Sequence, residues 1–348
     1  MCSIITPYLK EQQPRHQAAT MYAFTYQTAH KLSDFQIKMV NIADPILTDH
    51  DVMVNVQAAS FNPVDTKVRQ SRSASTDRGV ILGWDAAGII EKLGKNVQGF
   101  KVGDEVYYAG DVQRDGSYAK LQAVDYRLIA RKPRTFDFAQ AAALPLTALT
   151  AHEALFERGF NYTKDTKVLI IGGAGGVGSI AIQLLKVHTQ AKVIATASRP
   201  KTIEWVQHMG ADHVIGRNLK AELAQFGPMD IVFCTTHAHE YLPIIPSILK
   251  PFGSLILIEM NDPKSFDITS FKSKSLSIHW EFMFTKSMHE HNPKEQGIFL
   301  SNLAKLVECG KIKTTLGQTM QASVENIRQA HEFLESGAAI GKMVIMYT

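Results

Sequence analysis

Between residues 166 and 259 short apolar runs alternate with amphipathic stretches. The runs are KVLII (167–171), KVIATA (192–197), DIVFCT (230–235) and SLILIE (254–259). Each is rich in β-branched residues and bounded by Gly, Pro or charges, the pattern of a strand buried on both faces. Helical spacing of apolar positions falls between them at residues 180–187, 201–209 and 241–249, the last made irregular by Pro243 and Pro246. Strand and helix alternating in this way predict a parallel sheet covered by helices. From residue 21 to about 134 the pattern differs. Segments such as VMVNVQAAS, AAGIIEKLG and DEVYYAG alternate with period two and are broken by Gly, Asn and Asp, which predicts antiparallel strands in a smaller, mostly β domain. After Phe284 come two helical stretches, 298–309 and 324–336, and a last apolar run, KMVIMYT. That run is placed to return to the first domain as a strand, making the doubly wound segment an insertion.

The length of 348 residues suits two domains. With 45% apolar and 20% charged residues the chain is an ordinary globular one, which excludes disorder and coiled-coil readings. Its 37 basic and 33 acidic residues are spread without long runs, so the net charge of +4 gives no argument for nucleic acid. Cys2, Cys234 and Cys309 lack the spacing of a disulfide framework or a four-cysteine zinc site, and a reducing cytoplasm is expected. Residues 1–20 mix Lys10, Glu11, Pro14 and Arg15 without an apolar segment; they read as an extension rather than a secretory signal. Residues 168–185 carry no charge, yet five glycines in their middle argue against a membrane span.

Those glycines carry the first chemical signal. Gly173-x-Gly175-x-x-Gly178, with Gly176 and Val177 inside it, stands between a predicted strand and a predicted helix, the context a dinucleotide fingerprint requires. Gly173 is expected to make the turn, Gly175 to let backbone approach a pyrophosphate, and Gly178 to pack helix on strand. The helix N-terminus would then face the anion. The competing reading is a merely structural turn. About twenty residues on, an NAD site offers Asp or Glu to the ribose 2′-OH. This chain has Ser198, Arg199 and Lys201 there, which points to NADPH through charge-assisted hydrogen bonds to a 2′-phosphate; solvated residues at a helix start are the alternative.

SFNPVDTKVR (60–69), ILGWDAAGIIEKLG (81–94), VGDEVYYAG (102–110), LPLTALTAHEAL (144–155), GGAGGVGSIAIQLLK and IGKMVI together resemble the medium-chain dehydrogenase/reductase superfamily. Within it the chain is similar to the quinone oxidoreductase branch and to bacterial zinc-type alcohol dehydrogenase-like proteins, LGWDAAG and KSKSLSIHWEFMFTKSM (272–288) being the most specific matches. The resemblance implies a GroES-like catalytic domain at 21–148 and 285–348, a Rossmann domain at 149–284, and an active site in the cleft between them. Homodimers are common among relatives.

Zinc-dependent relatives place a Cys where this chain has Asn62, a His where it has Trp84 and a second Cys near Leu146, so no zinc is expected. The pairs His237/His239 and His289/His291 lack a third ligand at suitable spacing and read as surface features. Without a Lewis acid, reduction needs an electron-poor acceptor such as a quinone or an α,β-unsaturated carbonyl. The resemblance puts Asn62 in the acceptor pocket as a donor, against its reading as a turn residue before Pro63. Asp65 and Lys67 follow on the same segment, Lys67 as a cation near an oxyanion where relatives have an aromatic residue. Trp84 is either a pocket wall or core packing. Thr150 matches a residue that touches nicotinamide, and Lys342 matches a basic residue that approaches the pyrophosphate, with Asp85 beside it. Tyr107, Tyr108 and residues 279–284 are expected to border the cleft, the second group with core or subunit contact as its alternative. An NADPH-binding sensor without turnover, or a true zinc alcohol dehydrogenase, are the rival functions.

Overall fold

The computed structural model describes residues 19–260 and 267–347, so nearly all of the expected N-terminal extension lies outside the described residues. The first part of the chain is built on β1 (Thr20–Tyr26), β2 (Lys38–Ala43), β3 (Asp51–Ser60), helix α1 (Pro63–Ser71), β4 (Val80–Ile81), β5 (Ala86–Leu93), β6 (Glu105–Tyr108), β7 (Leu121–Asp125) and β8 (Ile129–Arg131). Helices α2 (Phe138–Ala142) and α3 (Pro145–Phe156) lead out of it. Pairing here is antiparallel, as the period-two pattern requires: β3 is flanked by β5 and β7, and β5 continues to β6 and β8.

The apolar runs form the second sheet. Its strands are β9 (Lys167–Ile171), β10 (Lys192–Thr196), β11 (His213–Ile215), β12 (Met229–Cys234), β13 (Leu249–Leu257) and β14 (Ser277–Trp280), all parallel. Helices α4 (Gly176–His188) and α5 (Pro200–His208) cross between the first of them, followed by the short α6 (Leu219–Glu222), α7 (Ala238–Tyr241) and α8 (Ile245–Ile248). The stretch predicted as one helix at 241–249 is two short ones, because Pro243 and Pro246 each remove a backbone donor. The spatial order β11-β10-β9-β12-β13-β14 reverses direction between β9 and β12. Ligands of such sheets bind outside the carboxyl ends of the strands at that reversal.

The chain closes with α9 (Thr285–Met288), α10 (Lys294–Glu308), β15 (Leu316–Gln321), α11 (Val324–Glu335) and β16 (Lys342–Met346). The last apolar run does return to the first part: β16 pairs with β3, Val344 opposite Ser60. Two hydrophobic clusters carry the packing, and the larger runs through both sheets. Among the described residues no helix is long and apolar enough to cross a membrane.

Candidate active site between the two sheets

The turn after β9 is shaped by contacts that only glycine permits. Gly172 has φ +90°, and its N–H donates to the Thr196 hydroxyl at the end of β10 (2.9 Å). Here the sequence expectation is corrected: Gly172 supplies the left-handed turn, whereas Gly173 lets the loop press on β10. A Cβ on Gly173 would stand 2.9 Å from that of Ala195. Gly178 has the expected role, since a Cβ there would meet the Gly172 carbonyl at 2.3 Å. Gly175 caps α4, and a Cβ added to it would come within 4 Å of nothing but the Gly172 carbonyl, at 3.5 Å. Gly175, Gly176 and Val177 are partly exposed while Gly173 and Gly178 are buried. The first turn of α4, with its free N–H groups and the positive end of the helix dipole, is therefore partly exposed at the strand reversal.

The C-terminal arm lies against this turn. The Gly341 N–H donates to the Ala174 carbonyl (2.9 Å), and the stem of Lys342 rests on Gly176, whose added Cβ would be 2.6 Å from the lysine Cδ. The Lys342 ammonium points away from the turn. It donates to the carbonyl of Phe61 (2.6 Å), to Asn62 Oδ1, and to Asp85 Oδ2 (3.2 Å). All three of its donors are thus used inside the first sheet's domain. The expected neighbourhood of Asp85 and Lys342 is present, but the ammonium is not aimed at a pyrophosphate.

Asn62, Asp85 and Lys342 are all buried. The Asn62 amide donates to Asp85 Oδ2 (3.2 Å) and weakly to the Ser60 carbonyl (3.4 Å), and Asp85 Oδ1 accepts from the Leu146 N–H (3.2 Å). Burial pushes the Asp85 carboxyl up to about 6 and opposes Lys342 ionisation, while their mutual attraction acts against both shifts. Asn62 has no donor left for an acceptor oxygen; it is one arm of a clasp joining the start of α1, the start of β5 and the start of β16. Asp65 ties the same corner. Its Oδ2 accepts from the Asn62 N–H (2.8 Å) and the Tyr118 hydroxyl (3.0 Å), and burial pushes its carboxyl up to about 7.

Other expected site residues scatter. Lys67 lies exposed on the outer side of α1, apart from the clasp. Trp84 has no exposed surface; its N–H donates to the Arg114 carbonyl (3.1 Å) and its ring meets the edge of Phe284, so it packs the core. Tyr107 and Tyr108 are likewise buried, bonded to the Leu300 carbonyl and to Gln122, because alternate residues of β6 both face packed layers. In 279–284 the answer is mixed: Glu281, Met283 and Phe284 are buried, Trp280 and Phe282 exposed.

The residues expected at the nucleotide lie on α3 and at the start of α5. Thr150 is buried on α3 and back-bonds to the Leu146 carbonyl (2.8 Å). Thr147, one turn earlier, was missed: its Cγ2 comes within 3.0 Å of a Cβ placed on Gly176. Ser198, Arg199 and Lys201 are exposed at the start of α5, with the Arg199 guanidinium on the Ala338 carbonyl (3.1 Å). The Ala197 N–H donates to the Ile215 carbonyl (2.9 Å), so the segment after β11, with exposed Arg217 two residues on, emerges beside the end of β10. Only the parallel pairing of β10 and β11 reveals Arg217, and β11 is too short to be read from periodicity.

Zinc does not fit the donors at its family positions. Asn62 and Trp84 have their polar atoms engaged by Lys342, Asp85 and Arg114, and Leu146 offers no lone pair. Among the described residues no group of three or more His, Cys, Asp or Glu side chains is placed to share a metal ion.

Residues 48–134 match the alcohol dehydrogenase GroES-like domain family, and residues 209–345 the zinc-binding dehydrogenase family. A zinc-type alcohol dehydrogenase-like protein of Staphylococcus epidermidis is 37% identical over 88% of this chain and 93% of its own. The chloroplastic NADPH-dependent alkenal/one oxidoreductase of Arabidopsis thaliana is 33% identical over 88% of this chain and 74% of its own. A crystal structure from Rhizobium etli CFN 42, provisionally assigned as a zinc-dependent alcohol dehydrogenase, superposes with a TM-score of 0.90 at 42% identity, covering 95% of this chain and 99% of that one. Fold, glycine turn and relatives agree: the chain belongs to the medium-chain dehydrogenase/reductase superfamily.

Proposed function

We propose that the protein is an NADPH-dependent, zinc-independent oxidoreductase that reduces an electron-poor small molecule, a quinone or an α,β-unsaturated carbonyl. The observation that carries this reading is the rim of the nucleotide site. A hydroxyl and two cations, Ser198, Arg199 and Lys201, stand exposed where an NAD site would offer a carboxylate, next to the open N-terminus of α4. The Arabidopsis relative, whose name states NADPH-dependent action on alkenals and alkenones, supports the acceptor class.

When bound, NADPH supplies the hydride. The chain's own residues hold and orient. The N–H groups of Gly176, Val177 and Gly178 would hold the pyrophosphate and Ser198, Arg199 and Lys201 the 2′-phosphate, with Thr147 beside the glycine turn and Thr150 one turn further along α3. The Lys342–Asn62–Asp85 clasp keeps the glycine turn in register with the first domain, and Trp84 with Phe284 closes the interior to water. With no Lewis acid to polarise a carbonyl, an acceptor activated by conjugation is the one this site can serve.

Replacing Arg199 with Ala removes charge-assisted hydrogen bonds worth roughly 1.5–3 kcal/mol in total. The expected result is NADPH affinity weaker by roughly ten- to a hundredfold with NADH affinity nearly unchanged, read by quenching of protein fluorescence. Equal losses for both would remove the 2′-phosphate assignment. We further propose a homodimer through the outer strand β14, beside which Trp280 and Phe282 are 55% and 46% exposed, and a cytoplasmic setting, in keeping with unpaired Cys234 and Cys309.

A further inference from the structure

Four polar side chains with no exposed surface, Asp65, Arg69, Tyr118 and His331, run in a line from α11 to the start of α1. At the outer end Arg69 pairs with Glu335 and donates to the His30 carbonyl (3.3 Å). Its other terminal nitrogen lies 3.1 Å from His331 Nδ1. A guanidinium only donates, so His331 Nδ1 must accept and the ring proton must sit on Nε2. That nitrogen faces the Tyr118 oxygen at 3.4 Å, and the Tyr118 hydroxyl in turn donates to Asp65 Oδ2 at 3.0 Å. Every bond in the chain therefore points the same way, from Arg69 toward Asp65.

The line ends on the clasp. The same Asp65 oxygen accepts the Asn62 N–H, and Asn62 holds Lys342. Lys342 stands between two buried carboxylates, Asp85, which it touches, and Asp65, which it does not. One ammonium neutralises one of them; the other depends on hydrogen-bond donors. A core packed for stability alone is served as well by apolar residues as by a buried ionic network.

We propose that Arg69, His331 and Tyr118 are positioning residues that form a one-way hydrogen-bond relay, keeping Asp65 a carboxylate so that the Asn62–Lys342 clasp holds the geometry for hydride transfer. The inference rests on the oxidoreductase reading above. The other charged groups facing Asp65 are Asp85 and Lys342; Tyr26 lies close enough to feel its charge, and Tyr347 acts on Tyr118; His30 and His331 are buried, and burial beside Arg69 pushes His331 down to about 3, so it stays neutral. Burial already pushes Asp65 up to about 7 and the Tyr118 bond works against that shift, so losing the hydroxyl moves the titration further up.

In Tyr118→Phe the acid limb of the kcat profile for NADPH oxidation is expected to rise by about one pH unit. At pH 7 kcat falls about fivefold and recovers at pH 9, while KM for the acceptor and Kd for NADPH change less than about twofold. His331→Gln keeps an acceptor for Arg69 and a donor for Tyr118 and should behave as wild type, whereas His331→Leu should behave as Tyr118→Phe. A second readout needs no turnover. The Tm gap between wild type and Tyr118→Phe should be wide at pH 8.5 and narrow at pH 5, because the lost bond matters most to the ionised carboxylate. An unmoved acid limb with a pH-independent Tm gap, or equal behaviour of the Gln and Leu variants, would overturn the relay. If no acceptor is reduced at all, the proposed function fails, yet the Tm gap still decides the relay.

Discussion

Replacing Lys342 with Met is expected to destabilise the protein by about 3 kcal/mol, the lower range for removing one partner of a buried ion pair. The ammonium serves the Phe61 carbonyl, Asn62 Oδ1 and Asp85 at once, so its loss takes a donor from the first two and leaves Asp85 buried without its counter-charge, held only by the Asn62 amide and the Leu146 N–H. Asp85 can escape by taking a proton, which limits the cost at low pH. Its carboxyl is already pushed up to about 6 by burial and moves higher once the cation is gone. A carboxyl with a raised folded-state value contributes stability that is full below its unfolded value of about 3.9 and is lost as pH rises through the folded value. The variant should therefore lie closest to wild type near pH 5 and furthest from it near pH 8. Chemical denaturation at both values measures this, and Asp85→Asn in the Met background should recover most of the loss. A pH-independent deficit would mean that Lys342 matters for packing and not for charge.

The second large effect separates the two functions of the glycine turn. Gly178→Ala drives a Cβ to 2.3 Å from the Gly172 carbonyl, a backbone atom that cannot step aside, so the turn must deform. Overpacking of this kind costs about 1–3 kcal/mol, and NADPH binding should fall by more than about a hundredfold as the α4 N-terminus shifts. Gly175→Ala is the control. Its Cα has ordinary space around it and an allowed φ of −72°, so Tm should hold to within a degree or two. Yet the added methyl stands where the pyrophosphate must approach, and binding should weaken by about tenfold or more. If Gly175→Ala left NADPH affinity intact, the turn would be structural only.

What could be read from the sequence followed from how local each signal is. The buried strands β9, β10, β12 and β13 announce themselves as apolar runs, and the fingerprint needs only its own six residues and their flanks. Short strands such as β11 and β14 have no room for a period, so Arg217 escaped with them. The clasp was half visible: resemblance put Asp85 beside Lys342, but the direction of the ammonium depends on carbonyls at Phe61 and on Asn62, brought in by β16 pairing with β3 across 280 positions of sequence. Trp84 and Tyr107 show the reverse error. Aromatic residues near expected ligand positions suggest a pocket, yet both have their polar atoms bonded within the core. The relay through His331 was invisible because its members come from α1, a loop and α11, and only their distances connect them.

Every role proposed for these residues requires hydride transfer from NADPH without a metal. The most direct measurement is NADPH oxidation by chelator-treated protein with an ortho-quinone and with an α,β-unsaturated ketone, NADH serving as the paired control. Turnover of at least one acceptor is expected, selective for NADPH and indifferent to the chelator. Turnover that appears only when zinc is restored, or NADPH bound tightly with no hydride passed to either acceptor, would contradict it.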